Sequence, residues 1–118
     1  MKTKIQYEWC IEHENKNGDI AELDFADKLT EYGANCFTPR SGCAKATLHL
    51  VRNEYTDDEG IHDRTYAYEN ADGDLEFGDW HPTGDFDDAM VWRNYPNMTV
   101  PKKLKNEFIK FKRQAGVK

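Results

Sequence analysis

Residues 3–12 alternate cleanly: Ile5, Tyr7, Trp9 and Ile11 fall on one side and Gln6, Glu8, Cys10 and Glu12 on the other. That is the period of a strand with one buried face. The polar run that follows contains Asn17-Gly18, a strong short hairpin signal, so residues 20–25 are predicted to return as a second strand with Ala21, Leu23 and Phe25 inward. Leu29 and Tyr32 then follow Phe25 at spacings of four and seven, which predicts a short helix from about residue 24 to 32, ended by Gly33.

Residues 33–45 carry Gly33, Asn35, Pro39, Ser41 and Gly42 and read as a loop. Alternation resumes over 46–55, with Leu48 and Leu50 on one face. Asp57-Asp58-Glu59-Gly60 reads as a hairpin turn, 64–69 as its partner strand, 70–74 as a turn containing Asp72-Gly73, and 75–77 as a further strand. From 78 to 98 the pattern breaks into Gly, Pro, Asp and scattered aromatics, which predicts an ordered loop with at most a helical turn at 87–93. The last element is a helix over about 101–115: Pro101 suits a first turn, Gly116 a terminus, and Leu104, Phe108, Phe111 and Ala115 form one apolar stripe. The expected fold is α+β, with an antiparallel meander of four to five strands packed on the C-terminal helix, plus one short helix, in a single domain spanning 1–118.

Composition sharpens this picture. The chain has 118 residues, 38% hydrophobic and 13% aromatic, so the core should be thin and built largely from Trp, Tyr and Phe. Charge is sharply divided. Residues 1–100 hold 9 Lys/Arg against 21 Asp/Glu, a net −12, whereas 101–118 hold 7 against 1, a net +6, and together they make the formal −6. An acidic body repels phosphate while a basic tail attracts phosphate or an acidic surface. The longest apolar run, residues 89–92, falls far short of the roughly 20 residues a membrane-spanning helix needs. Cys10, Cys36 and Cys43 cannot all pair within one chain, and no secretory h-region is visible, which points to a reducing, cytoplasmic setting.

The chemistry-bearing residues leave most enzyme classes unsupported. No G-x-S-x-G, H-E-x-x-H, P-loop or G-x-G-x-x-G is present. Cys36, Cys43 and His49, with Cys10 or His13, lack the tight knuckle spacing of a structural zinc site. Asp72, Asp74 and Glu76 resemble a calcium loop only superficially, because Phe77 and Thr83 stand where its Gly and Glu belong. No metal or cofactor is expected. The acid–base candidate is His81, beside Asp79 and near Asp85, Asp87 and Asp88.

Two surfaces are candidates for binding. Residues 78–95 combine Asp79, Trp80, Asp85, Asp87, Asp88, Trp92 and Arg93, mixing the Trp and Arg of interaction hot spots with acidic groups, unless the indoles belong to the core. In the terminal helix Lys102, Lys105, Lys110 and Arg113 surround Ile109, a basic face suited to a polyanion or an acidic protein.

Tyr7-Glu8-Trp9, Gly18-Asp19-Ile20 and the run from Asp24 to Leu29, DFADKL, resemble the start of small uncharacterised accessory proteins of tailed bacteriophages. The resemblance covers about the first quarter of the chain. It implies a bacterial host cytoplasm and an accessory role during infection, with no catalytic residues to transfer. The expected function is therefore non-catalytic binding of a host or phage protein. The alternatives are nucleic-acid binding through the basic helix and a small enzyme centred on His81.

Overall fold

A computed structural model describes residues 3–32, 38–56, 60–82 and 90–114, with backbone alone at 61, 62, 81, 82 and 90. Six strands, β1 (Thr3–Glu14), β2 (Ile20–Ala26), β3 (Lys45–Thr56), β4 (Gly60–Glu69), β5 (Leu75–Pro82) and β6 (Met90–Asn94), form one antiparallel sheet in the order β2-β1-β3-β4-β5-β6, and α1 (Lys102–Gln114) follows. The α+β expectation holds, with six strands rather than four or five. The sheet is also not a pure meander. β2 and β3 both pair antiparallel with β1 and flank it, so the chain between them must cross over.

Among the described residues that crossover contains a 3-10 turn at Leu29–Glu31 in place of the helix predicted for 24–32. Residues up to Ala26 are drawn into β2 by pairing with β1, which leaves too few residues for helical turns. Gly33, the expected stop, lies outside the described residues. Leu29 is buried in the same cluster as Trp9 and Phe108, so the crossover runs over the face that α1 covers.

Within the predicted loop at 78–98, residues 78–82 and 90–94 are strand, so the helical turn expected at 87–93 is strand from 90 onward. β5 continues past Phe77 to Pro82 and pairs with β6, Trp80 opposite Trp92 and Asp79 opposite Arg93. Gly78, which reads as a breaker, is instead a site of close approach: a Cβ there would lie 2.4 Å from the Arg93 carbonyl oxygen and 2.6 Å from the Trp92 ring.

Two hairpin turns share one design. In Asn15-Lys16-Asn17-Gly18-Asp19 the Asn15 side-chain oxygen accepts from the N–H groups of Asn17 and Asp19, at 2.9 and 3.1 Å. In Asn70-Ala71-Asp72-Gly73-Asp74 the Asn70 oxygen accepts from Asp72 and Asp74, at 2.9 and 3.0 Å. Gly18 and Gly73 take φ of +86° and +85°, the left-handed region that glycine enters without penalty. The acidic spacing at 72–76 thus belongs to an Asn-anchored turn.

The core lies between the sheet and α1. Trp9, Ile11, Leu48, Leu50, Ala67, Leu75 and Phe77 point toward the helix, as the alternation of β1 and β3 predicts, and Val100 and Phe108 close over them. Phe108 stacks on Trp9 with centroids 6.2 Å apart and planes within 8°. Lys112 pairs with Glu69 and lies over the Phe108 ring, its stem covering apolar surface. Among the described residues no helix is long and apolar enough to cross a membrane.

Candidate functional site

Facing away from α1, the other side of the sheet carries a row of rings. His49 on β3 stacks against Tyr68 on β4 at 4.6 Å and meets Tyr66 edge-on at 5.5 Å. Tyr68 continues to Trp92 on β6 at 5.6 Å, and Trp92 to Trp80 on β5 at 5.4 Å, both T-shaped. The missing Cβ of Gly78 leaves room for the Trp92 indole to approach the sheet there. Trp80, at the end of the row, is 56% exposed. Neither indole belongs to the core cluster.

The hot-spot candidates are therefore split. Strand alternation puts Trp80 and Trp92 on the open face, and puts Asp79 and Arg93, paired at 3.2 Å, on the opposite face. The Tyr95 hydroxyl is hydrogen-bonded to Asp79, which raises its pKa. Asp85, Asp87 and Asp88 lie outside the described residues, as does the side chain of His81, the proposed acid–base centre. On α1, Lys102, Ile109, Lys110 and Arg113 are exposed while Lys105 is half-buried, so the basic surface is a real outward face.

Beneath the ring row lies a buried polar group that sequence spacing did not indicate. The Tyr68 hydroxyl donates to Glu12 Oε1 at 2.6 Å, and His49 Nδ1 lies 3.4 Å from the same oxygen without a hydrogen bond of its own. Burial raises the Glu12 pKa, partly offset by the Tyr68 hydrogen bond, and burial lowers His49 to about 4. Burial, and then the bond to Glu12, also raises Tyr68. Cys10, opposite His49, is pushed up to about 12 by burial and then by the nearby Glu12 and Glu8 carboxylates, so it remains a thiol. With His49 only 1% exposed, a substrate has no path to this imidazole without displacing the rings above it.

A second histidine is engaged at both nitrogens. His13 Nε2 donates to Asp24 at 2.9 Å, and His13 Nδ1 accepts from the Arg40 N–H at 3.3 Å. The Arg40 guanidinium also reaches Asp24 and Glu22, and its hydrogen bond to Asp24 is the main reason that carboxyl sits below the usual carboxylate range. This clamp ties the end of the crossover to β1 and β2. It leaves no free lone pair for general-base chemistry.

Of the zinc candidates, Cys10 and Cys43 are free thiols and Cys36 lies outside the described residues. Among the described residues no group of three or more His, Cys, Asp or Glu is placed to hold a metal ion. No protein-family model, no curated protein and no solved structure matches this chain.

Proposed function

We propose that this is a non-catalytic accessory protein of the tailed-bacteriophage kind, acting in the cytoplasm of a bacterial host by binding a host or phage protein through the ring row of β4, β5 and β6. The observation that carries this reading is the placement of Trp80, exposed at the end of an ordered aromatic row rather than packed in the core. Exposed, pre-ordered Trp and Tyr supply contact area at little entropic cost, which is how interaction hot spots are built. The engagement of both His13 nitrogens and the burial of His49 leave neither of these two placed for acid–base work, while the side chain of His81, the acid–base candidate, lies outside the described residues. The second reading, polyanion binding by α1, is favoured by the exposure of Lys102, Lys110 and Arg113 on one helix. The net −12 of residues 1–100 works against it.

Affinity purification from bacterial lysate tests the choice. Trp80→Ala should abolish capture of a specific protein, whereas Arg93→Ala, on the opposite face, should retain it. Neutralising Lys102, Lys105 and Lys110 should mainly slow association and alter its salt dependence. Loss of the partner on the lysine variant with retention on the Trp80 variant, or recovery of DNA or RNA as the partner, would favour the helix instead.

A further inference from the structure

The sheet presents two unlike faces, and among the described residues a helix lies on only one, while the ring row shields the buried Cys10, His49 and Val51 of the other. Of the seven large hydrophobic side chains left exposed on the described strand residues, Ile5 and Val91 lie on the α1 side, whereas Ile20, Leu23, Phe25, Tyr66 and Trp80, between 37% and 56% exposed, are placed by strand register on the face away from α1. Phe25 pairs with Cys10 and Leu23 with Glu12, both on that face. Such a concentration of apolar surface on one side of a single sheet marks a missing layer.

The helix has a matching feature. Lys102, Asn106, Ile109 and Arg113 follow at i, i+4, i+7 and i+11, one stripe pointing away from the core, and all four are exposed. Ile109, at 39% exposure, is an apolar residue in the middle of a basic stripe. The two surfaces complement each other in charge as well as in polarity. Glu14 and Glu76 lie on the uncovered face near the end where the hairpin turns add Asp19, Asp72 and Asp74, five carboxylates against Lys16 and Lys45 there, while residues 101–118 are net +6. A guanidinium such as that of Arg113 also suits an aromatic surface flanked by carboxylates.

We infer that the uncovered face is occupied in solution by α1 of a second copy of this chain, with Ile109 on the apolar surface and Lys102 and Arg113 toward the carboxylates. The dimensions agree: 13 helical residues span about 20 Å, and five strand spacings make the sheet about 24 Å wide. The contact joins two different surfaces, so it is head-to-tail and leaves one free helix and one free face at the ends. One helix covers far less than the roughly 800 Å² per partner of a standard interface, so the association is weak and concentration-dependent. The inference rests on reading this face as an interaction surface, and it adds the identity of one occupant.

Sedimentation velocity on the pure full-length protein tests it without any foreign partner. At about 10 mM salt, where charges act over about 30 Å, the average mass should climb above the 13.7 kDa monomer as concentration rises. At about 0.5 M salt it should fall back toward the monomer. Ile109→Glu with Arg113→Glu, both at exposed helix positions, should give a monomer, and so should Phe25→Ser with Trp80→Ser. Mixed together, these two variants should form a 1:1 dimer, because each retains the surface the other lacks. Circular dichroism checks that each variant is folded, and Lys102→Glu with Arg113→Glu serves as a replacement helix variant. A wild-type protein that stays monomeric at low salt and high concentration overturns the inference. So does a helix variant that still dimerises alone, which would mean face-to-face pairing. Because only pure protein is used, either result leaves capture of another protein through Trp80 standing, and failure of that capture leaves the self-association result standing.

Discussion

The two faces of one sheet are built from the same strands and differ in what covers them. Toward α1, the strands present Trp9, Ile11, Leu48, Leu50, Leu75 and Phe77, each 5% exposed or less, with Phe108 stacked on Trp9. Away from α1, the same strands present Glu12, His49, Tyr68 and, on β5, Trp80, a mixture of rings and carboxyl groups whose buried members are shielded by their neighbours rather than by a second layer. The first face carries the free energy of folding, because burial of apolar area scales with the surface removed from water. The second is ordered but only half-dry, and a surface with that character is available for recognition.

The contrast breaks most visibly at its two tryptophans. Trp9→Ala should cost about 3–5 kcal/mol by leaving a cavity under Phe108, whereas Trp80→Ala should cost under about 1 kcal/mol. Urea unfolding of both variants measures the difference. Equal losses would mean that the open face is also core.

A smaller effect is expected from pH. Folded His49 titrates near 4 against an ordinary 6.5, so below about 6.5 the unfolded chain binds a proton that the folded chain refuses. Stability from this group is full above pH 6.5 and is lost as pH falls toward 4, by about 3 kcal/mol in all. Glu12 acts with the opposite sign: its raised pKa stabilises the fold at low pH, and that contribution is lost as pH rises through it. The Asp24 clamp enters only lower, since its depressed pKa keeps its contribution intact above the ordinary carboxylate value and loses it below. Unfolding free energies of His49→Gln between pH 7 and 4 should therefore lack most of the acid-side loss seen in the parent. An unchanged slope would remove His49 as its source.

The smallest of the three effects sharpens the open face alone. Gly78→Ala places a methyl group against the Arg93 carbonyl and the Trp92 ring, which should cost about 1–3 kcal/mol and displace the indole from Tyr68. Near-ultraviolet circular dichroism reads the loss of the coupled aromatic signal, and partner capture should weaken in parallel. A variant with parent stability and an unchanged spectrum would mean that the indole does not need the bare glycine.

Much of the fold was legible in residue order. The alternation of 3–12 and 46–55 assigned Trp9, Ile11, Leu48 and Leu50 to one buried face, and the stripe Leu104, Phe108, Phe111 assigned the face of α1 that packs on them. The two Asn-x-x-Gly-Asp turns were also readable, one through its Asn-Gly pair and the other through Asp-Gly, although their shared Asn anchor emerged only from the hydrogen bonds. In each case the signal is local: strand pleat, helix pitch and the φ freedom of glycine act within a few residues.

What the sequence did not decide depends on contacts between distant residues. Leu23 and Phe25 read as inward, yet a register shift between His13 and Glu14 turns them outward and brings Asp24 and Ala26 to the helix side, because one extra residue in a period-two strand exchanges its faces. Residues 78–82 and 90–94 have weak strand patterns of their own and became β5 and β6 by pairing with each other. The His13–Asp24–Arg40 clamp joins three parts of the chain up to 27 residues apart. By itself, then, the sequence determined which residues alternate, turn and coil. Only the tertiary structure decided which side of the sheet lies under a helix and which carries the aromatic row, because that depends on where the crossover and α1 come to rest, and no local period encodes it.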